Sequence, residues 1–473
     1  MNYRTVIGLE IHVELATATK MFCSCTTLFG GEVNTHCCPV CTGMPGTLPV
    51  INRKAVELAV RTGLALNCQI SSFSKMDRKN YFYPDLPKAY QISQYDLPLC
   101  RDGYVEVGER KIGIERIHME EDAGKLIHDG DGKSSSIDYN RCGIPLIEIV
   151  SRPDMSNAEE ARDFVEKVRT ILQFIGASDC RMQEGSLRVD VNLSVRPVGQ
   201  ESLGIRTEMK NLNSFRAIVR AIESEEKRQI ELLESGGVVI QETRRWDDDR
   251  GMSFSMRSKE EAHDYRYFPE PDLLPVVIAQ EEVLRIKDTL PELPQQRKAR
   301  YMEQLGLPEY DAGLLTADLG ISDWFELVTG LGADPKTVSN WIMGDLMRIQ
   351  NEKNTNDNPV RPEDFARLLA LVGEGVLSQN MARKVLGVMF ETGRDPDGIV
   401  EAEGLRVVRD DQLLEDLADK VLRENPGPVK DYLAGTEKAF GFLMGQMMRK
   451  TGGKADPGMA ACILRKKLGD RGN

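Results

Sequence analysis

The chain has 473 residues, a formal net charge of −13, 41% hydrophobic residues and 29% charged residues. This length exceeds what one hydrophobic core usually supports, so we expect about two to four domains of ordinary globular composition. The acidic balance argues against a protein that coats nucleic acid non-specifically, although a local basic patch is compatible with it. Charged residues interrupt the first apolar run, and no run has the length of a membrane helix. We therefore expect a cytoplasmic protein with neither a signal peptide nor a membrane segment.

The first predicted element is a strand over residues 6–15, where apolar and polar residues alternate. Its odd positions are all apolar, and its even positions include Glu10, His12 and Glu14. Because side chains alternate across a strand, one face should lie on a core and the other should carry carboxylates and an imidazole. Taken alone, this polar face would be an ordinary solvent-exposed edge.

The loop after this strand is rich in cysteine. Two thiol pairs separated by twelve residues suit a tetrahedral zinc site, and the predicted ligands are Cys23, Cys25, Cys38 and Cys41. His36 or Cys37 could replace one of these ligands, and a group of reduced structural cysteines is the alternative interpretation. No glutamate has the spacing of a zinc hydrolase, so a bound zinc ion would be structural.

A helix is predicted over residues 52–66, and a loop with interleaved basic and aromatic residues follows it. In this loop Lys79, Tyr81 and Tyr83 fit either contact with a phosphate and a stacked base or an internally packed aromatic loop. Residues 130–134 imitate the end of a phosphate-binding loop, but Ile127 stands where that motif needs its first glycine. We therefore predict a turn between strands at 130–134.

The alternation of the first strand recurs in later segments. Glu148 lies inside the apolar run 146–150, where an unpaired charge would be costly. Two further strands carry the polar faces Arg188, Asp190, Asn192 and Arg206, Glu208, Lys210. Helices are predicted over 156–176, with a capping box formed by Ser156 and Glu159, and over 214–234. The pattern indicates an α+β domain with an antiparallel sheet whose concave side is charged.

From about Pro291 the pattern becomes helical, and a third unit begins after about Gly404. We predict three domains: an α+β domain over 1–290, an all-α helical domain over 291–404 and a helical tail domain over 405–473. The tail ends in basic residues that suit either an arm touching nucleic acid or a helix with solvated charges. The candidate contact residues are Lys450, Arg465, Lys466 and Lys467.

The polar faces together could hold divalent metal ions and nucleotide phosphates. The candidate ligands are Glu10, His12, Glu121, Glu148 and Asp190. Oxygen ligands favour Mg²⁺, and positive side chains nearby could neutralise a phosphoryl group in transfer. These counter-charges are Lys79, Arg188 and Arg206. Because the sequence has no Walker, kinase or dinucleotide glycine motif, an ATP site here would be built on the sheet.

Long segments of the sequence resemble the B subunit of tRNA-dependent amidotransferases (GatB). They are VIGLEIHVEL at 6–15, DRKNYFYPD at 77–85, HMEEDAGK at 118–125, PLIEIV at 145–150, EGSLRVD at 184–190, KNLNS at 210–214 and DYRYFPEPD at 264–272. The match is collinear and spans the chain. The C-terminal part resembles the helical and YqeY-like tail regions of this family, and the cysteine segment is similar to its zinc-bearing branch. The choice of Glu121 over Glu120 rests on this match.

The resemblance implies a glutamine-synthetase-like cradle, then a helical domain and a YqeY-like tail that contacts tRNA. It implies that ATP phosphorylates the side-chain carboxylate of Glu on tRNA(Gln) or Asp on tRNA(Asn), and that ammonia replaces the phosphate. Carried over, Glu10, His12, Glu121 and Glu148 would hold magnesium, and Lys79 and Asp190 would lie near the phosphoryl group or the ammonia path. The chain has no glycine-rich Ser–Ser–Lys amidase signature, so an amidase A subunit would supply ammonia, with a small C subunit completing a heterotrimer.

Two other functions compete with this interpretation. A freestanding ATP-dependent amide ligase of small acids could share the sheet, but it would have no use for a basic helical tail. A non-enzymatic, zinc-containing tRNA-binding protein would use the charged sheet only as a surface, and the Glu148→Ala variant distinguishes it from an enzyme. Within the amidotransferase interpretation, Glu-tRNA(Gln), Asp-tRNA(Asn) and both together remain open as substrates.

Overall fold

A computed structural model describes residues 2–128, 134–258, 265–355, 357–407, 411–452 and 454–472. The turn predicted at 130–134 falls, except for Ser134, outside these residues, as does Asp264 of the last resembling segment. The chain divides into two compact units, Met1–Pro294 and Gln295–Asn473.

The first unit is built on a large, mostly antiparallel sheet. The described strands are β1 (Tyr3–Glu14), β2 (Gln69–Ile70), β3 (Phe73–Ser74), β4 (Asp77–Asn80), β5 (Tyr90–Ser93), β6 (Cys100–Val107), β7 (Arg110–Glu121), β8 (Lys125–His128), β9 (Ser135–Asp138), β10 (Pro145–Ser151), β11 (Leu187–Pro197), β12 (Thr207–Leu212), β13 (Glu242–Asp247), β14 (Met252–Ser258), β15 (Phe268–Pro269) and β16 (Val276–Val277). Among the described residues, nine strands form this sheet in the order β14-β13-β12-β11-β1-β10-β7-β6-β2, and only β12 and β13 run parallel. The first predicted strand is therefore the central strand, between β10 and β11.

Helices cover the apolar face of the sheet. They are α1 (Arg53–Ala65), α2 (Ala158–Phe174) and α3 (Phe215–Glu234), and α4 (Gln280–Asp288) packs against α1. The odd residues of β1 that the alternation places on a core, such as Ile7 and Ile11, are buried together with Phe164 of α2 and Ile218 of α3. The opposite face keeps the polar even residues, as the alternation predicts.

The predicted helix starts are largely confirmed. Asn52 and Ser214 cap α1 and α3 through their side chains. The capping box of α2 lies one residue later than predicted, because Asn157 accepts the hydrogen bond from the Glu160 amide at 2.8 Å. The Glu160 carboxylate in turn accepts a hydrogen bond from the Ser156 amide at 2.8 Å.

Strand β7 changes phase near its middle. Ile112 and Ile114 are buried at even positions, whereas Ile117 and Met119 are buried at odd positions. A register irregularity opposite Val150 and Ser151 of β10 accompanies this change. Such an irregularity re-aims the side chains beyond it, so the polar residues after position 117 face the charged side only at even positions.

The second unit is helical over its described residues. Its helices are α5 (Pro294–Leu305), α6 (Glu309–Leu315), α7 (Leu319–Gly330), α8 (Pro335–Trp341), a π-helical turn (Ile342–Leu346), α9 (Met347–Lys353), α10 (Pro362–Gly373), α11 (Gln379–Thr392), α12 (Pro396–Ala402), α13 (Asp411–Glu424), α14 (Pro426–Leu433), α15 (Lys438–Lys450) and α16 (Pro457–Gly472). Its buried apolar residues form one group from Tyr301 to Val400 and another from Leu414 to Leu468. The predicted boundary at 404/405 falls between these groups, and the three-domain division stays a prediction.

Mixed α/β structure with a large sheet and many helices is thus the observed architecture. In the described part of the chain, none of the helices combines the length and the apolar composition that a membrane crossing requires.

Candidate active site

A row of polar residues crosses four neighbouring strands on the charged face. His12 of β1 lies opposite Glu148 of β10 and Arg188 of β11, and Glu148 lies opposite His118 of β7. Directly opposite residues of antiparallel strands project on the same side of the sheet. The cross-strand register therefore gathers an imidazole, a carboxylate, a second imidazole and a guanidinium from distant parts of the sequence.

The histidine cluster consists of His12, His118, Glu120 and Glu148. Glu148 Oε2 lies 3.4 Å from His12 Nε2 and 3.3 Å from His118 Nε2. Glu120 is 3.9 Å from His12 and 3.8 Å from His118, and it accepts a hydrogen bond from Ser93 Oγ at 3.2 Å. One ligand atom each from His12, Glu120 and Glu148 lies within 4.8 Å of the others, which is close enough to share one metal ion.

Opposite charges keep this buried cluster ionised. Burial by itself would raise the pKa of Glu148, but the charge and hydrogen bond of His118 hold that pKa well below its usual range. Burial alone would lower the pKa of His118, yet Glu148 and Glu120 raise it to about 9. The pKa of Lys79 is also raised, because the charges of Glu120, Tyr267 and Glu148 outweigh the effect of burial.

The donor set of the histidine cluster fits a hard divalent cation. The two carboxylates supply the oxygen ligands that Mg²⁺ and Mn²⁺ prefer, and the His12 imidazole adds one nitrogen ligand. His118 Nδ1 is buried without a hydrogen-bond partner among the described residues. Burial by itself would lower the pKa of His12, but the hydrogen bond and charge of Glu148 raise it. Because metal binding requires neutral imidazole, a cation would compete with protonation of His12.

An acidic cluster lies beside the histidine cluster and consists of Glu10, Asp190 and Glu208. One carboxylate oxygen from each lies within 4.8 Å of the others. Lys210 Nζ lies 2.6 Å from Asp190 and 2.8 Å from Glu208, and Asn192 donates a hydrogen bond to Glu10 at 3.0 Å. Burial and the charge of Glu148 raise the pKa of Glu10. Three carboxylates against one ammonium leave an excess of negative charge, which a second divalent cation would neutralise.

Both clusters open into one cavity of about 880 Å³, a size that suits a nucleotide. Positive side chains surround it. Its charged lining residues are Glu10, His12, Lys79, Arg116, His118, Glu148, Arg188, Asp190, Arg206, Glu208, Lys210 and Glu242. Arg188 lies 2.9 Å from Asp122, whereas Arg206 is exposed. The structure thus brings the predicted residues Glu10, His12, Lys79, Glu148, Asp190, Arg188 and Arg206 together.

The predicted position of Glu121 in this site is wrong, because the neighbouring Glu120 occupies it. The phase of β7 after residue 117 puts Glu120 on the charged face and Glu121 on the other. The Glu121 carboxylate is buried against Lys88 Nζ at 2.5 Å and accepts a hydrogen bond from the Ile92 amide at 3.0 Å. It lines a separate small cavity of about 120 Å³ next to Cys23 and Cys41.

The ligands and counter-charges selected from the sequence leave out several residues of the site. They are His118, Glu120, Asn192, Glu208, Lys210, Tyr265 and Tyr267. The same alternation that selects Asp190 and Arg206 also marks Asn192, Glu208 and Lys210. The apolar residues Ile117 and Met119 could likewise have placed His118 and Glu120 on the polar face. Tyr265 and Tyr267 come from a loop, where no such periodic signal exists.

The aromatic segment 81–83 is partly packed and partly exposed. Tyr81 donates a hydrogen bond to Gln91 at 3.4 Å, and its ring lies 5.8 Å from Lys79 Nζ. Tyr83 is exposed. The packed-loop interpretation therefore applies to Tyr81, and contact of Tyr81 and Tyr83 with tRNA stays a prediction.

The basic residues of the tail have partners within the second unit. Lys450 lies 2.6 Å from Glu424, Lys467 lies 2.6 Å from Asp419 and Lys466 lies 3.8 Å from Glu415. The three acidic partners all belong to α13. The Arg465 guanidinium lies over the ring of Phe440 at 5.2 Å. Lys450 lies on α15 and the other three basic residues lie on α16, so these pairs hold basic charge of two helices within the tail. The use of this charge in binding tRNA stays a prediction.

The four predicted zinc ligands come together. One sulfur each from Cys23, Cys25, Cys38 and Cys41 lies within 4.8 Å of the others. The sulfurs of Cys38 and Cys41 are 4.0 Å apart, near the roughly 3.8 Å expected for two sulfurs on one tetrahedral zinc. Hydrogen bonding to Cys23 lowers the pKa of Cys41 to about 4.

The two spare residues of this loop are used elsewhere. His36 Nδ1 lies 3.2 Å from the Leu28 carbonyl, and the Cys37 thiol donates to the Asn34 carbonyl at 3.2 Å. Neither belongs to the group of four sulfurs. The donor set therefore fits structural zinc with the predicted ligands.

The chain is similar to known proteins over nearly its whole length. Residues 5–284 match the family described as the GatB/GatE catalytic domain, and residues 323–468 match the GatB domain family. The B subunit of the aspartyl/glutamyl-tRNA(Asn/Gln) amidotransferase of Caldicellulosiruptor bescii is 58% identical over 477 residues, which cover 99% of each chain. The B subunits of the same name from Thermoanaerobacter pseudethanolicus and Moorella thermoacetica are 56% and 54% identical, over 99% of this chain and 100% of each relative. The chain therefore belongs to the GatB family, the B subunits of tRNA-dependent amidotransferases.

Proposed function

We propose that this chain is the kinase and transamidase subunit that converts misacylated Glu-tRNA(Gln), Asp-tRNA(Asn) or both into the correctly amidated form. ATP gives its γ-phosphoryl group to an oxygen of the aminoacyl side-chain carboxylate, which yields an acyl phosphate and ADP. Ammonia then attacks the acyl carbon, inorganic phosphate leaves, and the nitrogen loses a proton to give the amide. The observation that carries this proposal is the pair of clusters on one nucleotide-sized cavity.

The two clusters would hold the magnesium ions that accompany ATP. His12, Glu120 and Glu148 are the ligands on one side, and Glu10, Asp190 and Glu208 are those on the other. Magnesium bound there would neutralise phosphate charge during transfer. Lys210 bridges Asp190 and Glu208 and so keeps both carboxylates on the cavity wall.

Positive side chains of the chain would stabilise the charge that develops on the transferring group. Lys79 is half-buried on β4, and its raised pKa keeps it protonated at neutral pH. Its ammonium is therefore suited to the oxygens of the acyl phosphate, where a fixed positive charge lowers the barrier. Arg188, held by Asp122, and the exposed Arg206 add two guanidiniums that can bind phosphate oxygens.

The remaining parts of the proposal concern architecture and partners. The first unit would be the glutamine-synthetase-like cradle, and the second would supply the helical domain and a YqeY-like tail that binds tRNA. An amidase A subunit would release ammonia from glutamine, and a small C subunit would complete a cytoplasmic heterotrimer. The four cysteines would hold structural zinc that fixes the loop after β1.

Amidation by the reconstituted complex tests the proposal. Wild-type and Glu148→Ala subunits are assayed with both misacylated tRNAs, with and without ATP and the partner subunits, and Glu106→Ala on β6 is the exposed control. We expect ATP-dependent amidation that falls by at least about 100-fold in Glu148→Ala and stays unchanged in the control. A near-wild-type rate in Glu148→Ala would refute the site assignment.

The two alternatives give different results in this assay. A freestanding ligase would amidate free glutamate or aspartate without tRNA. A tRNA-binding protein would bind the tRNAs but support no ATP-dependent amidation even as the wild type.

A further inference from the structure

Tyrosine rings form a continuous line along the cavity wall from Lys79 to Tyr95. The rings of Tyr81 and Tyr265 meet edge to face at 5.8 Å, and those of Tyr265 and Tyr267 do so at 6.0 Å. Tyr267 and Tyr95 are stacked, with centroids 4.3 Å apart and an angle of 8° between the ring planes. Tyr95 is 60% exposed, and the roles proposed above for the cavity leave the stacked pair unused.

The inner end of this line lies at the catalytic groups. Lys79 Nζ is 5.0 Å from the centroid of the Tyr265 ring. After burial, the charges of Lys79, Glu120 and Glu148 are the largest influences on the pKa of Tyr267. Tyr265, Tyr267 and Tyr95 all line the 880 Å³ cavity. The stacked pair therefore lies close enough to the proposed site of phosphoryl transfer for one small molecule to contact both.

The backbone holds both rings of the pair in place. The Tyr95 amide donates a hydrogen bond at 3.0 Å to Asp77, a buried carboxylate that also pairs with Lys75. The preceding residue, Gln94, is buried and accepts hydrogen bonds from the amides of Leu99 and Met119. Tyr267 directly precedes β15, which pairs with β4. A flat ring on a fixed backbone loses little conformational freedom when a ligand stacks on it.

We propose that the Tyr95–Tyr267 pair, defined here as the tyrosine platform, binds an adenine base by stacking on the exposed ring of Tyr95. This inference rests on the proposed function, because both substrates of that reaction carry adenine: ATP has it as its base, and tRNA ends in an adenosine that bears the amino acid. Aromatic side chains stack on bases without needing hydrogen bonds to the base edges, and such contacts contribute substantially to nucleic-acid binding. The platform would fix the base while the phosphates or the aminoacyl group reach toward the histidine cluster.

The tyrosine platform is tested with the reconstituted complex. The variants are Tyr95→Ala, which removes the ring, and Tyr95→Phe, which keeps it, and Tyr310→Ala on α6 is the exposed control in the second unit. KM and kcat are measured for ATP at saturating misacylated tRNA and for misacylated tRNA at saturating ATP. We expect Tyr95→Ala to raise one KM by about tenfold, with a smaller effect on kcat, and Tyr95→Phe to restore it. A higher KM for ATP identifies the base as that of ATP, and a higher KM for tRNA identifies the terminal adenosine.

Two results would overturn the tyrosine platform. The first is that both KM values are unchanged in Tyr95→Ala. The second is that Tyr95→Phe raises KM as much as Tyr95→Ala does, because this would assign the effect to the hydroxyl group. Equilibrium binding of ATP alone and of uncharged tRNA alone, to wild type and Tyr95→Ala, separates this inference from the proposed function. If the wild-type complex does not amidate, the proposed function fails whatever the binding data show. If it amidates while both binding constants and both KM values are unaffected by Tyr95→Ala, only the platform fails.

Discussion

Glu120 and Glu121 are neighbours in sequence but face opposite sides of the sheet, so replacing each with glutamine should have opposite consequences. Glu121 forms a buried pair with Lys88, and the two side chains are only 3% and 10% exposed. Glu121→Gln keeps the volume and leaves the Lys88 ammonium without its carboxylate. Because solvent scarcely reaches this pair, the free energy of unfolding should fall by nearly the roughly 3–5 kcal/mol typical of a broken buried ion pair. Amidation by the surviving folded protein should be nearly normal.

Glu120→Gln should reduce catalysis and lower stability less than Glu121→Gln does. Its carboxylate lies among His12, His118 and Glu148, where the loss of one negative charge relieves repulsion with Glu148 but removes the pairing that holds the pKa of Glu120 below its usual value despite burial. We expect a fall in kcat of about 10²–10³-fold.

Urea unfolding of the purified chain and amidation by the reconstituted complex measure these two effects. Glu106→Gln, on the neighbouring strand β6 and paired only loosely with Lys111 at 3.7 Å, is the control for loss of a carboxylate. The reasoning is refuted if Glu121→Gln impairs amidation without lowering stability. A wild-type rate in Glu120→Gln refutes it equally.

The other predictions concern the zinc site, the acidic cluster and the tail. Metal analysis should find about one equivalent of zinc in the wild type and in the exposed control Cys462→Ser, and none in Cys41→Ser. Absence of zinc from the wild type would mean that the thiols are reduced structural cysteines. Lys20→Met should release zinc to a chelator faster than wild type, with the exposed Lys54→Met as control. Lys210→Met should lower the amidation rate about tenfold or more and raise the Mg²⁺ concentration for half-maximal rate, because Asp190 and Glu208 lose the ammonium that positions both carboxylates on the cavity wall. A chain ending at Gly404 should keep the unfolding transition of the first unit and bind tRNA more weakly in gel-shift assays; unchanged affinity would refute the role of the tail.

Much of the site could be predicted because successive side chains of a strand project on opposite faces of the sheet. Once Glu10 and His12 are placed on the polar face of β1, the same parity in later strands selects Glu148, Asp190 and Arg188. The odd residues of these strands are apolar, and the helices that follow them have clear amphipathic stripes. Consequently these residues can be assigned to the charged face without knowing which strands are neighbours in the sheet.

Sequence patterns are insufficient where strand parity changes or where contacts depend on pairing. Strand β7 changes phase within its register with β10, so parity counted from its start does not decide between Glu120 and Glu121, and the choice of Glu121 from the family resemblance is wrong. Partners such as Lys210 and Asp190 are 20 residues apart and meet only because β11 pairs with β12. The basic tail residues likewise pair with acids of α13 that lie far from them along the chain. Local sequence determines faces, whereas these contacts depend on three-dimensional pairing.

The cysteine loop illustrates how a buried charge constrains the state of its neighbours. The Lys20 ammonium is fully buried, 3.7 Å from Cys41 Sγ and 3.3 Å from the Tyr139 carbonyl, and no carboxylate of the described residues forms an ion pair with it. Burying an ammonium without a counter-charge is strongly unfavourable. The Cys41 thiolate, whose pKa is lowered to about 4 chiefly by hydrogen bonding to Cys23, offers one such charge, and four thiolates around one Zn²⁺ would carry a net charge of about −2. The position of Lys20 therefore fits the proposed zinc site, where the ammonium and the thiolates would stabilise each other and metal binding would be coupled to the folding of this loop.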